Sequence, residues 1–120
     1  PLVDGFLTHD RPIHVPCDDS VVQVADGDEE MPLRRSRGYA PFPVFPRVAV
    51  ESPPAVLAVG AELKSTIAIS DGNTVFLSAH LGDVADPRTL DALSHAADHM
   101  LRLHGVNPDR IACDLHPGYL

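Results

Sequence analysis

The sequence predicts an α+β fold built from short strands and one helix. Short apolar, β-branched segments separated by turn residues run through most of the chain, as strands and hairpins require. One later segment repeats its apolar residues every three to four positions, as an amphipathic helix does. Between these regions, residues 41–54 contain five prolines in fourteen positions. Proline lacks an N–H donor and fixes φ, so this stretch is predicted to be an extended connector.

The connector divides the chain into a first part, residues 1–43, a linking segment, residues 44–54, and a second part, residues 55–120. The first part is predicted to be rich in β-structure, with a strand over 3–9, a strand over 20–25, a turn over 26–30 headed by Asp26 and Gly27, and a return strand over 31–35. One hairpin buries little surface, so this part needs a partner surface.

The second part is predicted to have the order βββαβ. Its strands are expected over 55–61, 65–70, 74–80 and 110–115. The helix has Asp86 as its N-cap, Pro87 as its first residue and Gly105 just past its end. The 3.6-residue period predicts a buried face that consists of Leu90, Leu93, Ala97, Leu101 and His104, with Met100 beside it.

Composition excludes several classes of function. The net charge is −8 and the pI about 5.1, which excludes a broad basic surface for nucleic acid. No apolar run is long enough to span a membrane, and the first residues lack the positive region of a signal peptide.

Cys17 and Cys113 lie far apart, so reduced thiols in a cytoplasmic protein are expected. The chain begins with Pro rather than Met, which suggests a fragment of something longer.

The histidines do not form a recognisable metal motif. His95 and His99 have the i, i+4 spacing of zinc ligands, but the segment is HAADH rather than HExxH, and both are expected on the surface. His80 and His116 each lie at the C-terminal end of a predicted strand, where ligand sites of α/β proteins tend to lie. Cys113 and His116 would give only two ligands from one loop. No metal site is predicted.

The stretch LRRSRGYAP, residues 33–41, concentrates basic charge in an acidic protein. Arg34, Arg35 and Arg37 are three of only nine basic side chains. Two interpretations remain open from the residues alone. The arginines either form a solvated cluster neutralised by Asp18 and Asp19, or they bind a phosphate or carboxylate, whose geometry matches the planar guanidinium.

The stretch VGAELKST, residues 59–66, joins two predicted strands and also has two interpretations. Backbone N–H groups near Gly60, together with Lys64 and the hydroxyls that follow, are able to hold a phosphate. The spacing differs from that of a P-loop, and an ordinary hairpin with a surface lysine explains the same residues.

Six motifs occur in an order that resembles the HypF carbamoyltransferase family, which matures [NiFe]-hydrogenases. They are LTHDRPI, CDDSVV, LRRSRGYAP, VGAELKST, SAHLGD and ACDLHPGYL, and they extend from residue 7 to residue 120. The resemblance implies that residues 1–43 end a YrdC-like domain. It implies that residues 55–120 begin an actin/Hsp70-like (ribonuclease H-like) transfer domain.

The resemblance also implies a reaction. The first domain makes carbamoyl adenylate from carbamoyl phosphate and ATP with magnesium. The second passes the carbamoyl group to the C-terminal cysteine of a HypE-type partner, for cyanide ligand synthesis. Zinc or iron in such proteins has its ligands outside this chain.

Candidate site residues follow from matching positions, and no catalytic residue is assigned. Binding of nucleotide and carbamoyl phosphate is expected of His9, Arg11, Ser20, Arg34 and Arg37. A second nucleotide-binding turn is expected to comprise Gly60, Glu62, Lys64 and Ser65, where Ser65 replaces the family's usual asparagine.

The 120 residues are predicted to be inactive by themselves, because each half lacks essential parts. The main alternative is a non-catalytic docking or dimerising module whose unpaired strand edges associate, with a homodimer as one form. A small metal protein that uses the seven histidines is a third hypothesis.

Overall fold

A computed structural model describes residues 2–25 and 27–120 of the chain. It has a two-stranded sheet and a five-stranded mixed sheet with one helix, which confirms the α+β class. The elements are β1 (Val21–Val24), β2 (Glu30–Arg34), β3 (Pro43–Val44), β4 (Val56–Val59), β5 (Ile67–Asp71), β6 (Thr74–Leu77), α1 (Pro87–His104) and β7 (Arg110–Ala112).

The predicted hairpin of the first part is present as β1 and β2. The two strands pair antiparallel, with a bulge between Val21 and Val22. Gly27 and Asp28 both have positive φ, 89° and 62°, and the Ala25 N–H donates to the Glu29 carbonyl across the turn. Asp26, predicted at the head of this turn, lies outside the described residues.

The strand predicted over 3–9 is wrong. These residues, all of them described, form no strand, and Phe6 and Leu7 are almost fully exposed. An alternating pattern makes a strand only where a neighbouring strand offers hydrogen-bonding groups and an apolar face. No described strand pairs with this segment.

The five-stranded sheet has the order β3-β6-β5-β4-β7. Strands β4, β5 and β6 form the predicted antiparallel meander. Strand β7 pairs parallel with β4, which is possible because α1 carries the chain back between them. Strand β7 is shorter than predicted, at Arg110–Ala112. Strand β3 falls at the predicted end of the first part and lies at the sheet edge, where a proline is tolerated.

Helix α1 begins and ends where the sequence predicts. The Asp86 side chain accepts the Arg88 N–H at the N-cap, Pro87 is the first residue, and Gly105 is left-handed with φ 65°. The capping interactions supply hydrogen-bond partners for backbone groups that the helix ends leave unpaired.

The buried face of α1 differs from the predicted one at its first position. The core consists of Ile67, Ile69, Met100 and Val106, and the helix packs on it through Leu93, Ala96, Ala97 and Leu101. Leu90 is 36% exposed, because contact with the core begins only at Leu93, the seventh residue of the helix. His104 does lie on the inner side, where its ring stacks on Phe76 with centroids 3.8 Å apart.

Within the described residues, no helix has the length and apolar character needed to cross a membrane.

Replacing Gly60 with alanine is expected to destabilise the fold. A Cβ at this position would lie 2.7 Å from the Thr66 carbonyl oxygen and 3.0 Å from its nitrogen, both backbone atoms. Overpacking of this kind costs on the order of 1–3 kcal/mol. Urea unfolding followed by circular dichroism measures the loss. Gly5→Ala is the matched control, because nothing lies within 4 Å of a Cβ there. Equal midpoints for the two variants would contradict the proposed contact.

The Asp86 carboxylate at the N-cap makes the stability of the folded chain depend on pH in the acid range. Hydrogen bonds from the Arg88 side chain and then from its backbone N–H lower the pKa of Asp86 from 3.8 to about 2. Because the folded pKa is depressed, the stabilisation is complete above pH 3.8 and is lost as the pH falls towards 2.

Asp86→Asn keeps a capping oxygen but loses the charge. The difference in melting temperature between the parent chain and this variant is therefore expected to shrink as the pH falls from 3.8 towards 2. A difference that stays constant over this range would show that the ion pair does not contribute.

Candidate functional site

Ser20 is at the centre of a hydrogen-bonded corner that closes the hairpin. Its Oγ accepts the Ser36 N–H at 2.9 Å and donates to the Arg37 carbonyl at 2.8 Å. The Arg37 N–H in turn donates to the Asp18 carbonyl at 3.1 Å. The residues before β1 and after β2 are thereby joined, and the Ser20 hydroxyl is occupied by bonds within the protein.

Arg37 lies on the outside of this corner. Its Nη2 donates to the Cys17 carbonyl at 3.2 Å, and its Nη1 lies 3.5 Å from Asp19 Oδ1. Both side chains of this ion pair are largely exposed, at 72% and 89%. Asp19 therefore neutralises Arg37 as the solvated interpretation expects, whereas Asp18 contributes through its backbone carbonyl.

Arg35 has a different environment from the arginines on either side of it. Its Nη2 donates to the carbonyls of Tyr39 and Phe42, at 3.1 and 3.2 Å, and its guanidinium lies 5.6 Å from the centroid of the Tyr39 ring. The Tyr39 hydroxyl donates to Glu30 Oε2 at 2.7 Å, and this bond raises the pKa of Tyr39. Arg35 thus holds the segment that leaves β2, with its charge at a fixed position.

The turn over 60–66 packs against the loop that precedes α1. The Ser65 N–H donates to the Gly82 carbonyl and the Ser65 carbonyl accepts the Leu81 N–H, both at 2.9 Å. The Glu62 carbonyl accepts the Val84 N–H at 3.0 Å. Ser65 is fully buried, and among the described residues its Oγ has no hydrogen-bond partner. Lys64 remains exposed at the tip.

Gly60 has a structural reason to be glycine. Its N–H donates to the Thr66 carbonyl at 2.9 Å, and the Thr66 backbone occupies the space that a Cβ would need. This close approach explains why the position is a glycine without invoking a bound ligand. The phosphate-binding interpretation of the turn stays a prediction.

An open cleft of about 500 Å³ lies between the hairpin and the five-stranded sheet. The residues that line it are Val21, Pro32, Leu33, Arg34, Arg35, Lys64, Thr66, Leu77 and His80. Three cations and a histidine therefore surround the cleft, and the described lining contains no carboxylate, although the chain as a whole has a net charge of −8. A concave surface of one charge sign focuses the electrostatic potential and attracts the opposite charge.

The cleft brings together Arg34 and Lys64, which the sequence assigned to two separate sites. The other predicted residues do not line it; they are His9, Arg11, Ser20, Arg37, Gly60, Glu62 and Ser65. His9 and Arg11 are exposed in the segment before β1.

Three polar or charged lining residues were absent from the predicted site. They are Arg35, Thr66 and His80. His80 had a sequence signal, since it follows a strand, and Thr66 directly follows the predicted turn residues.

The arrangement suits anion binding. Arg34, Lys64 and the Thr66 hydroxyl are donors, and apolar side chains form the rest of the wall. Among residues 2–25 and 27–120, no three His, Cys, Asp or Glu side chains are placed to hold a metal ion. His95 is exposed, with Nδ1 2.8 Å from the Asp91 carbonyl, and His99 lies edge-on to His14.

Ser20 is expected to contribute more to stability than Arg37. Ser20→Ala removes the acceptor of the buried Ser36 N–H, which costs on the order of 1–3 kcal/mol. Arg37→Ala removes an exposed ion pair worth roughly 0–1 kcal/mol. Parallel urea titrations of the two variants measure this order. A larger loss for Arg37→Ala would mean that the guanidinium, rather than the hydroxyl, holds the corner.

A family model and curated relatives point to the same protein family for this chain. Residues 51–120 match the family model described as the HypF Kae1-like domain. The carbamoyltransferase HypF of Synechocystis is 43% identical over 119 residues, and carbamoyltransferase HypF2 of Cupriavidus necator is 41% identical over 122 residues. Both alignments cover 98% of this chain, but the chain spans only 15% and 14% of these relatives.

A solved structure agrees with these alignments. The crystal structure of full-length HypF in a phosphate- and nucleotide-bound form superposes with a TM-score of 0.83 at 35% identity. The match covers 98% of this chain and 18% of that one. With more than half of the chain matched by the family model and nearly all of it aligned to relatives at these identities, the chain belongs to the HypF carbamoyltransferase family.

Proposed function

We propose that the chain is the segment of a HypF-type carbamoyltransferase that contributes an anion-binding cleft to the activation and transfer of a carbamoyl group. The observation that carries this proposal is the meeting of Arg34 and Lys64 at one cleft without a carboxylate in its described lining. Family membership supplies the reaction, since relatives aligned over 98% of the chain are named carbamoyltransferases.

The two sheets support a two-domain assignment, and β3 (Pro43–Val44), at the predicted boundary, already belongs to the second sheet. Residues 1–43 would end a YrdC-like domain that makes carbamoyl adenylate from carbamoyl phosphate and ATP. Residues 55–120 would begin an actin/Hsp70-like transfer domain, and the family match to residues 51–120 supports this boundary. The hairpin β1–β2 and the β3–β7 sheet share no strand pairing.

The lining residues would act on phosphate charge. Arg34 and Lys64 would neutralise the phosphates, and Thr66 would donate a hydrogen bond. In the transfer step the thiol of a HypE-type partner would lose its proton to solvent and its sulfur would bond to the carbamoyl carbon, while the bond from that carbon to the adenylate oxygen breaks and AMP leaves. This chemistry would take place in the cytoplasm.

ATP with magnesium fits the cleft through its phosphates. The described lining offers cations and a hydroxyl but no carboxylate to bind magnesium directly. Magnesium would therefore enter as part of the nucleotide complex and neutralise phosphate charge when bound. Zinc or iron, if the whole protein holds one, would use ligands outside these residues.

A docking or dimerising module is the second candidate function. Apolar side chains on both hairpin strands are exposed, among them Val24 at 60% and Leu33 at 60%, and Ile111 on the edge strand β7 is 70% exposed. Exposed strands of this kind pair readily with other chains. A clean monomer in light scattering would count against this candidate.

A segment exchange tests the carbamoyltransferase proposal. The aligned residues of Synechocystis HypF are replaced by this chain, and the carbamoyl-phosphate-dependent conversion of ATP to AMP is measured. The exchanged protein is expected to keep activity within about tenfold of the parent, since the cleft residues come with the segment. The 120 residues alone are expected to give no AMP.

The matched control is the same exchange carrying both Arg34→Ala and Lys64→Ala. Its rate of AMP formation should fall on the order of a hundredfold, because losing a preorganised donor to developing charge has an effect of that size. A folded but inactive exchanged protein, or full activity in the control, would contradict the proposal.

A further inference from the structure

We propose that the side chains of Arg35, Tyr39 and Glu30 form a clamp that fixes the orientation of the hairpin relative to the five-stranded sheet. The clamp acts on residues 36–42, the stretch of chain that joins β2 to β3. It is a property of the fold, so it does not depend on which ligand the cleft binds.

Residues 36–42 form the link between the two sheets. The hairpin ends with β2, and β3 already belongs to the five-stranded sheet. The sheets share no strand pairing, and no hydrogen bond among the described residues joins residues 2–35 directly to residues 43–120. His14 lies edge-on to His99, but it belongs to the segment before β1. Because hinges are usually a few loop residues, a change in the orientation of the hairpin would have to occur within this link.

The hydrogen bonds within this link shape it but leave its far end unattached to the hairpin. The Ser36 carbonyl accepts the N–H groups of Tyr39 and Ala40, at 3.0 and 2.7 Å, and the Tyr39 carbonyl accepts the Phe42 N–H at 3.0 Å. The corner around Ser20 ties only the first two residues of the link to the hairpin. Side chains must therefore hold the rest.

Arg35 forms the first arm of the clamp. Its Nη2 donates to the Tyr39 carbonyl at 3.1 Å and to the Phe42 carbonyl at 3.2 Å, and its Nε is buried. Hydrogen bonds from a charged donor are stronger than those between neutral groups. Since Phe42 directly precedes β3, this arm fixes the point at which the chain enters the five-stranded sheet.

Tyr39 and Glu30 form the second arm. The Tyr39 hydroxyl donates to Glu30 Oε2 at 2.7 Å, and the Tyr39 ring lies within cation–π range of Arg35, 5.6 Å from its guanidinium carbon. Glu30 is the first of the five residues of β2, and Arg35 directly follows the last. The arms are therefore anchored about 16 Å apart along the strand, at a rise of about 3.3 Å per residue. Two separated attachments prevent the rotation that either one alone would allow.

The clamp determines the width of the cleft between the hairpin and the sheet. Arg34 lies beside Arg35 on one side of the cleft, and Lys64 lies on the other. A rotation of the hairpin about its link would move these two sides together or apart. Arg35 and Tyr39 are therefore positioning residues, which act on the cleft through the orientation of the hairpin.

Double electron–electron resonance on the 120-residue chain tests the clamp. Spin labels are attached through Gln23→Cys on β1 and Asp98→Cys on α1, both at exposed positions. The native thiols are removed by Cys17→Ser and Cys113→Ser. The parent chain is expected to give one narrow distribution of distances between the labels, because the clamp holds the hairpin in one orientation.

The clamp variants are Arg35→Ala and Tyr39→Phe, each of which removes the hydrogen bonds of one arm. Each is expected to at least double the width of the distance distribution. Amide hydrogen exchange on the unlabelled chain gives a second measurement, in which the Ala40 and Phe42 N–H groups should exchange at least tenfold faster in both variants. Circular dichroism and melting temperature establish that each variant is folded.

Two matched controls separate hydrogen bonding from charge. Glu30→Gln keeps an acceptor for the Tyr39 hydroxyl and should keep the parent width, whereas Glu30→Ala should broaden the distribution as Tyr39→Phe does. Arg34→Ala removes a positive charge next to Arg35 but no hydrogen bond to a described residue, so its distribution should also keep the parent width.

Three outcomes would overturn the proposed clamp. A broad distribution in the parent chain would show that the hairpin is not held in one orientation. The parent width in either Arg35→Ala or Tyr39→Phe would show that two arms are not needed. Broadening in Arg34→Ala or Glu30→Gln as large as in the clamp variants would assign the effect to charge rather than to the hydrogen bonds.

The outcome is separable from that of the segment exchange, because no nucleotide or carbamoyl phosphate is used. An active exchanged protein with a broad distribution in the parent chain rejects the clamp alone. A narrow distribution that broadens in both clamp variants, together with an inactive exchanged protein, rejects the proposed function alone.

Discussion

The burial of strand β5 is the constraint on which the rest of the structure depends. Ile67 and Ile69 are fully buried because β4 and β6 flank the strand and α1 covers one face through Met100. The Ile67 N–H also donates to the buried Ser78 hydroxyl. Since the turn over 60–66 leads directly into this strand, the position of β5 determines where Lys64 and Thr66 lie.

The hairpin has no comparable core, so hydrogen bonds hold it instead. All four residues of β1 are exposed, and the corner around Ser20 supplies the ties that apolar packing supplies in the sheet. Arg35 adds a second set of bonds to the segment that leaves β2. The three neighbouring arginines therefore differ in role: Arg37 pairs on the surface, Arg35 holds the backbone, and Arg34 faces the cleft.

Local signals predicted the elements whose boundaries are set locally. Asp86, Pro87 and Gly105 mark the ends of α1 because caps act within one turn of the helix. The meander followed from apolar runs and tight turns. The predicted strand over 3–9 is wrong because a strand needs a pairing partner that its own pattern does not reveal. The predicted burial of Leu90 is wrong because helical periodicity does not show where the sheet under the helix ends.

The sequence by itself determined the α+β class, the meander, the helix and the family, because these depend on local pattern and on motifs in order. Only the tertiary structure decided which candidate residues meet. Ser20 satisfies its hydroxyl within the protein, whereas Arg34 and Lys64 approach one cleft from two sheets. Residues distant in the chain become neighbours through packing, and neither charge nor spacing along the sequence encodes that meeting.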